Sequence, residues 1–411
     1  MKDKLLNIKR EASKFSIIST QIKNNIIKDI AGLIDKKSKE ILVENEKDIE
    51  KAKKNHLAEP LIDRLMLNKQ RLNSIIDSLE NILRLDDPVM KVDRGFTRPN
   101  GLKILKVRVP IGVICIIYES RPNVTIDAAA LCIKSGNAVV LRGGKEAVNT
   151  NMAFVRIIKD ALSCNNVSKE IVCYIDDPER RYIYDLLKAK NIIDLVIPRG
   201  GTSLISFVEE NSLIPIVKHD KGVCHVYIDK FADILKATNI VYNAKVQRPS
   251  VCNAIESLLI HSDIDEDSVQ KILQPLRNAG VELVGCELMN KIYGIEMAIE
   301  DDWYAEYLDL KVSIKIVKDV FEAIEHINRY GSHHSDSIIT ENYSNANAFV
   351  NNVDSAAVYV NASTRFTDGF EFGFGSEMGI STQKLHCRGP MGLEDLTTYK
   401  YIIYGNGQIR T

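Results

Sequence analysis

The sequence carries almost no net charge: 54 basic residues face 55 acidic ones, leaving −1 over 411 residues. There is no global basic field to hold a nucleic acid or an anionic membrane surface, although a local cationic pocket for a phosphate is compatible with that balance. No stretch approaches the roughly 20 apolar residues that span a bilayer. The longest apolar run, at 113–118, is strand-sized. The opening Met1-Lys2-Asp3-Lys4-Leu5-Leu6 has neither an apolar core nor a small-residue cleavage site, so a cytoplasmic protein is expected. The eight cysteines contain no CxxC pair and no Cys/His cluster at zinc spacing. Neither a disulfide nor a metal site is expected. The adjacent pairs His333-His334 and His386-Cys387 would diverge on an extended chain, which argues against joint ligation. GxGxxG, GxxxxGK(S/T), internal repeats and low-complexity linkers are all missing.

What remains is the composition of a folded enzyme-sized chain, 45% hydrophobic and 27% charged, long enough for two or three domains. Residues 1–85 read as amphipathic helices, with Ile22, Ile26, Ile30 and Leu33 at helical spacing, and Leu61, Leu65, Leu72, Ile76 and Leu79 likewise. From about residue 104, β-rich runs at 113–118, 139–141, 172–175, 194–197 and 223–228 alternate with helical stretches. Continuous apolar strands separated by helices imply a parallel sheet covered on both faces, with ligands expected at the carboxyl ends of the strands. A second series follows residue 230, with runs at 255–260, 312–317 and 356–360, and implies a second α/β domain. The run at 399–404 reads as a terminal strand that needs a sheet, either its own or that of another subunit.

Two glycine loops follow predicted strands: Leu141-Arg142-Gly143-Gly144-Lys145 and Pro198-Arg199-Gly200-Gly201-Thr202. Glycine permits close approach of backbone to a phosphate, and a following helix N-terminus would supply N–H donors. Arg142, Lys145 and Arg199 add positive charge, and two such loops suit a dinucleotide; plain tight turns are the alternative. Cys252 lies in Gln247-Arg248-Pro249-Ser250-Val251-Cys252-Asn253, between a helical stretch that Pro249 stops and a strand-like run. A thiol at such a junction can project into a cleft, and Arg248 beside it favours the thiolate. Most of the other seven thiols are expected to be small buried apolar groups.

These segments, together with Val109-Pro110-Ile111-Gly112-Val113, Tyr118-Glu119-Ser120-Arg121-Pro122-Asn123, Tyr359-Val360-Asn361-Ala362-Ser363-Thr364-Arg365 and Lys384-Leu385-His386-Cys387-Arg388-Gly389-Pro390, resemble the γ-glutamyl phosphate reductase family of the aldehyde dehydrogenase superfamily. The matching motifs run in order from about residue 100 to 400. The resemblance implies an aldehyde dehydrogenase-like fold: two doubly wound α/β domains plus a small β oligomerisation element. The expected division is a cofactor domain with a helical N-terminal part over 1–229, a catalytic domain over 230–365, and a return segment with an oligomerisation strand over 366–411. A strand near 100–110 would join that element.

The implied reaction is NADPH-dependent reduction of L-glutamyl 5-phosphate to glutamate 5-semialdehyde and phosphate, in proline biosynthesis. Cys252 would be the nucleophile, with Asn123 and the Cys252 amide as oxyanion donors. Arg142, Gly143, Gly144 and Lys145, then Arg199, Gly200, Gly201 and Thr202, would hold NADPH, and Glu306 resembles the glutamate that binds the nicotinamide ribose. Arg248, Asn361 and Arg365 would contact substrate. Lys145 stands where the superfamily has a ribose-binding glutamate, which implies preference for the 2′-phosphate. The segment matching the hydrolytic Glu-Leu-Gly-Gly motif is Val217-Lys218-His219-Asp220-Lys221-Gly222-Val223; it has no Glu, and Asp220 is shorter and may be offset. A homo-oligomer, dimer or tetramer, and direct transfer from a glutamate 5-kinase partner are further expectations. A hydrolytic semialdehyde dehydrogenase, a catalytically silent assembly subunit and a cysteine acyltransferase without nicotinamide are the rival readings.

Overall fold

The computed structural model describes residues 2–177, 179–218 and 221–410. The chain divides into two compact units, Met1–Lys218 with Gly373–Gly379 and Met391–Thr411, and His219–Phe372 with Ile380–Pro390. Among the described residues, no helix is long and apolar enough to cross a membrane.

The first unit opens with helices Lys2–Phe15, Thr20–Lys36, Ser38–Lys54, Glu59–Leu65 and Lys69–Arg84. Ser19 and Asn68 cap two of them, their side chains accepting from Ile22 N and Arg71 N. The buried face of Thr20–Lys36 runs through Lys23, Ile26, Ile27, Ile30 and Ile34, so Ile22 and Leu33 lie at its margin. In Lys69–Arg84 the buried residues are Leu72, Ile75, Leu79 and Ile82, so Ile75 faces the core and not Ile76. Where two apolar residues are adjacent, spacing alone does not choose which one faces the core. Lys23 is buried because Asp87 lies 2.8 Å from its ammonium.

Behind these helices is a four-stranded parallel sheet in the order Val172–Tyr174, Ala138–Arg142, Val113–Tyr118, Leu195–Arg199. All six residues of Val113–Tyr118 are buried, which explains its unbroken apolar run. Each such fully buried aliphatic side chain contributes roughly 1.5–3 kcal/mol. The same unit carries an antiparallel sheet of Val92–Thr97, Lys103–Pro110 and Thr397–Tyr404, with the terminal strand at an edge. The terminal strand therefore pairs within its own chain.

The second unit is built on a seven-stranded sheet, ordered Glu296–Met297, Glu282–Gly285, Lys311–Val317, Ile255–His261, Cys224–Ile228, Ser335–Ile339, Ala357–Val360, with every pairing parallel. Cys224–Ile228 belongs here, not to the first series where its position in the chain suggested it. The units accordingly divide at 218/219 instead of after 229. Sheet membership follows hydrogen-bond partners, and an apolar run does not name them.

Candidate active site

Cys252 occupies a turn between helix Ile234–Val246, capped by Asp233, and strand Ile255–His261. Three contacts fix its backbone. Gly222 lies so close that a Cβ there would stand 2.0 Å from the Cys252 carbonyl oxygen. The Cys224 thiol donates to that same oxygen at 3.1 Å. Asn253 then ties the turn to the segment at 364–367: its amide donates to Arg365 O and Thr367 O at 3.3 and 2.9 Å, and its own carbonyl accepts from Thr364 Oγ1 at 2.7 Å. Cys252 is left half-buried, while Cys224 is fully buried in its strand.

The turn carries positive charge. Arg365 donates from Nε to Gln247 Oε1 at 3.0 Å and from a terminal nitrogen to Asn253 Oδ1. Burial lowers the Arg365 pKa, the Arg248 cation nearby lowers it further, and Asp368 and Cys252 act the other way. Arg365, bonded to Gln247 and Asn253, and Arg248 in the same turn place positive charge near the nucleophile candidate. Cys224 is in the opposite situation: burial, then the charge of Asp336, push its thiol well above the usual range. Glu306, half-buried in the loop before Lys311–Val317, accepts from Gly222 N at 2.7 Å. Gly222 thus touches the cysteine backbone on one side and the Glu306 carboxylate on the other.

Apart from Arg365, which follows Ala357–Val360 and reaches the cysteine turn through Gln247 and Asn253, these groups precede strands. Gly222, Cys252, Glu306 and His334 come just ahead of Cys224–Ile228, Ile255–His261, Lys311–Val317 and Ser335–Ile339, at the amino edge of the parallel sheet. The carboxyl-end expectation belongs to the first series of strands; in this unit Cys252 and Glu306 lie at the amino edge. Asn361 directly follows Ala357–Val360 and lies at the opposite edge from Cys252. Its side chain clamps the backbone of Thr340, accepting from N and donating to O at 2.9 Å each. Its φ of 53° is a left-handed conformation that Asn tolerates. His333 and His334 are likewise engaged locally, with Asp354 O at 2.6 Å and Ser335 Oγ at 2.8 Å. Asp220 lies outside the described residues.

In the first unit the two glycine loops differ. After 142–145 comes a short 3₁₀ turn, Lys145–Ala147, and only then helix Val148–Cys164. Two of the donors at that helix start are taken, since Asp48 accepts from Asn149 N and Thr150 N at 3.2 and 2.8 Å. Arg142 is 7% exposed and its guanidinium turns back to Gly143 O, so Lys145 is the exposed cation of this loop. Arg142 is thus buried against its own loop, where its sequence position suggested a cofactor contact. A Cβ at Gly143 would meet the buried Asn151 Nδ2 at 2.3 Å, whereas one at Gly144 would meet only the Glu146 carboxylate, which can swing aside. The second loop is different. Helix Thr202–Asn211 starts at Gly201 with no side-chain cap, and Gly201 N donates to the Glu119 carboxylate at 2.8 Å. A carboxylate already rests at this helix N-terminus, so the site fits an anion. Asn123, at the start of helix Asn123–Lys134, gives one amide hydrogen to Asp127 Oδ2 at 3.1 Å.

The aldehyde dehydrogenase family model matches residues 18–283. A protein of Nautilia profundicola named γ-glutamyl phosphate reductase is 53% identical over 410 residues, covering all of both chains. This chain belongs to the γ-glutamyl phosphate reductase family. A namesake from Thermodesulfovibrio yellowstonii is 50% identical over 98% of this chain and 96% of its own. The crystal structure of the Thermotoga maritima γ-glutamyl phosphate reductase superposes with a TM-score of 0.98 at 47% identity, over 100% of this chain and 99% of that one. Family membership fixes the aldehyde dehydrogenase-type α/β fold described above.

Of the sequence candidates, the second unit brings together Cys252, Arg248, Arg365 and, through Gly222, Glu306. Gly222, Asn253, Cys224 and Glu119 were not singled out. Gly222 did have a signal: it is a glycine directly ahead of a strand, inside the segment that replaces the hydrolytic motif.

Proposed function

We propose that the chain catalyses NADPH-dependent reduction of L-glutamyl 5-phosphate to L-glutamate 5-semialdehyde and phosphate, a step of proline biosynthesis, through a thioester on Cys252. The observation that carries the assignment of the nucleophile is the contrast between two neighbouring thiols. Cys252 is half-buried in a turn that Arg365 bonds at Gln247 and Asn253, whereas Cys224 is sealed in a strand where burial pushes its thiol up. The Cys252 thiolate attacks the acyl carbon, the C–S bond forms, and the acyl C–O bond breaks with phosphate as leaving group. Arg365 and Arg248 favour the thiolate and stand near the anionic substrate. Asn123 Nδ2 and the Cys252 N–H are our candidates for holding the developing oxyanion.

Arg199, Gly200, Gly201 and Thr202 would hold the pyrophosphate, where Glu119 now supplies the negative charge. Gly143, Gly144 and Lys145 would meet the adenosine ribose and its 2′-phosphate, and Glu306 the nicotinamide ribose. When bound, the reduced nicotinamide supplies the hydride that takes the thioester to the aldehyde level. The missing glutamate in the segment 217–223 supports reduction over hydrolysis, because no carboxylate of that length is available there to activate water. On the same reading the first unit binds the cofactor and the second is catalytic, in a cytoplasmic enzyme. The edge position of Thr397–Tyr404 and its exposed Tyr399, Tyr401 and Ile403 support self-association as a dimer or tetramer. The lability of the acyl phosphate supports delivery by a glutamate 5-kinase.

The test is the reverse reaction with glutamate 5-semialdehyde, NADP and phosphate, followed by absorbance of the reduced cofactor. Strict dependence on phosphate is expected. Sustained turnover without phosphate or arsenate would make the enzyme a hydrolase.

A further inference from the structure

Lys245 and Glu256 form an ion pair with both side chains fully buried, N to O 2.6 Å. The pair brackets the cysteine turn: Lys245 lies at the end of the helix before it, and Glu256 is the second residue of the strand after it. The ammonium also donates to Ile255 O at 2.9 Å. Glu256 has a second oxygen, and this one leaves the turn altogether. Oε1 accepts from the backbone N–H of Leu308 at 3.1 Å.

Leu308 is two residues beyond Glu306 and has a φ of 54°, a left-handed conformation that a side chain of this kind rarely adopts. Such a residue persists only when its surroundings determine it. The Leu308 N–H bond to Glu256 is the contact that does so from the sheet side. Glu306 meanwhile accepts from Gly222 N at 2.7 Å, and Gly222 lies against the Cys252 backbone. The result is a closed circuit: the cysteine turn, Gly222, Glu306, Leu308, Glu256, and back to the turn. The ends of Glu256 are thus tied to the two segments that chemistry must keep in register.

We propose that Glu256, neutralised by Lys245, is a positioning residue that couples the Glu306 loop to the Cys252 turn, so that nucleotide binding and thiol presentation share one support. The proposal rests on the roles given above to Cys252 and Glu306, and it concerns how those residues are held. Burial drives the Glu256 carboxyl up to about 7, with Lys245 opposing it. An uncharged side chain that keeps the acceptor oxygen therefore suits the site once Lys245 is also neutral.

The test compares K245M/E256Q with K245M/E256L in the full-length protein. Both lack the ion pair, but only Gln keeps an oxygen for the Leu308 N–H. The readouts are the dissociation constant for NADP by calorimetry, the rate at which iodoacetamide alkylates the Cys252 peptide, and the thermal midpoint. The two variants are expected to unfold at similar temperatures. K245M/E256L should bind NADP about ten-fold more weakly than K245M/E256Q and alkylate several-fold more slowly, the scale of one lost hydrogen bond to a buried partner. Equal affinities and equal alkylation rates would overturn the coupling. If K245M/E256L does not fold, K245M/E256A removes the same acceptor with a smaller side chain and gives the same comparison. E306Q separates the two levels: wild-type NADP binding by E306Q would refute the role of Glu306 itself. Weak binding by E306Q, with the two double variants equal, would refute only the coupling.

Discussion

The Cys224 thiol donates to the Cys252 carbonyl at 3.1 Å, so one cysteine supports the backbone of the other. Cys224 is fully buried, and burial pushes its thiol well above the usual range. Cys224→Ala removes a neutral hydrogen bond worth about 1 kcal/mol and should lower turnover several-fold. It should leave the thioester chemistry intact. Iodoacetamide followed by peptide mass spectrometry should label Cys252 and spare Cys224; preferential labelling of Cys224 would reverse the assignment.

Gly222 admits no side chain. A Cβ would fall 2.0 Å from Cys252 O and 2.4 Å from its Cα, both backbone atoms that cannot swing away. Gly222→Ala must therefore displace the cysteine turn. A displacement of ~1 Å at a reacting centre costs on the order of 100-fold in rate. Steady-state kinetics beside a thermal melt checks this, and near-wild-type kcat would show that the turn tolerates the shift.

Glu119 occupies the helix start assigned to the cofactor pyrophosphate, accepting from Gly201 N at 2.8 Å. Binding a phosphate there requires the carboxylate to leave. Glu119→Gln removes the competing charge and should tighten NADP binding by roughly two- to five-fold, the range of a charge at a helix terminus. Calorimetry reads this directly. Weaker binding would mean that Glu119 contributes a contact to the cofactor.

His326 is 3% exposed, between Trp303, Tyr330 and His225. Burial, then the charges of His225, Lys315 and Arg329, lower its pKa from 6.5 to about 2. The unfolded chain therefore binds the proton first, and stability rises with pH between about 2 and 6.5. Below pH 6.5 each unit of acidification should cost about 1.4 kcal/mol from this group, an upper figure if the interior relaxes. Urea unfolding at pH 5 and 7 should show a smaller acid loss in His326→Phe than in wild type. Equal losses would place the acid sensitivity elsewhere.

The sequence revealed what depends on neighbours in the chain. An unbroken apolar run located strand Val113–Tyr118, a β-rich run interrupted only by His225 located Cys224–Ile228, and Pro249 located the end of the helix before Cys252. Residues settled by distant partners stayed hidden. Arg142 reads in the sequence as a phosphate ligand, and its burial with the guanidinium on Gly143 O had no local signal. The helix start after Lys145 looked open, but Asp48, 102 residues away in sequence from Thr150, already occupies two of its donors. Asn361 sits in a motif beside Arg365, yet the two end at opposite edges of the sheet. The Lys245–Glu256 pair had no local signature, because two charges eleven residues apart become partners only when the cysteine turn folds back between them.

The central claim is that Cys252 carries the acyl group and that the thioester waits for phosphate. Mixing the enzyme with glutamate 5-semialdehyde and NADP, with no phosphate present, tests both halves at once. The expected result is a burst of about one equivalent of reduced cofactor per competent site, followed by arrest, with a glutamyl adduct on the Cys252 peptide. Continued turnover, or an adduct on another cysteine, would contradict it.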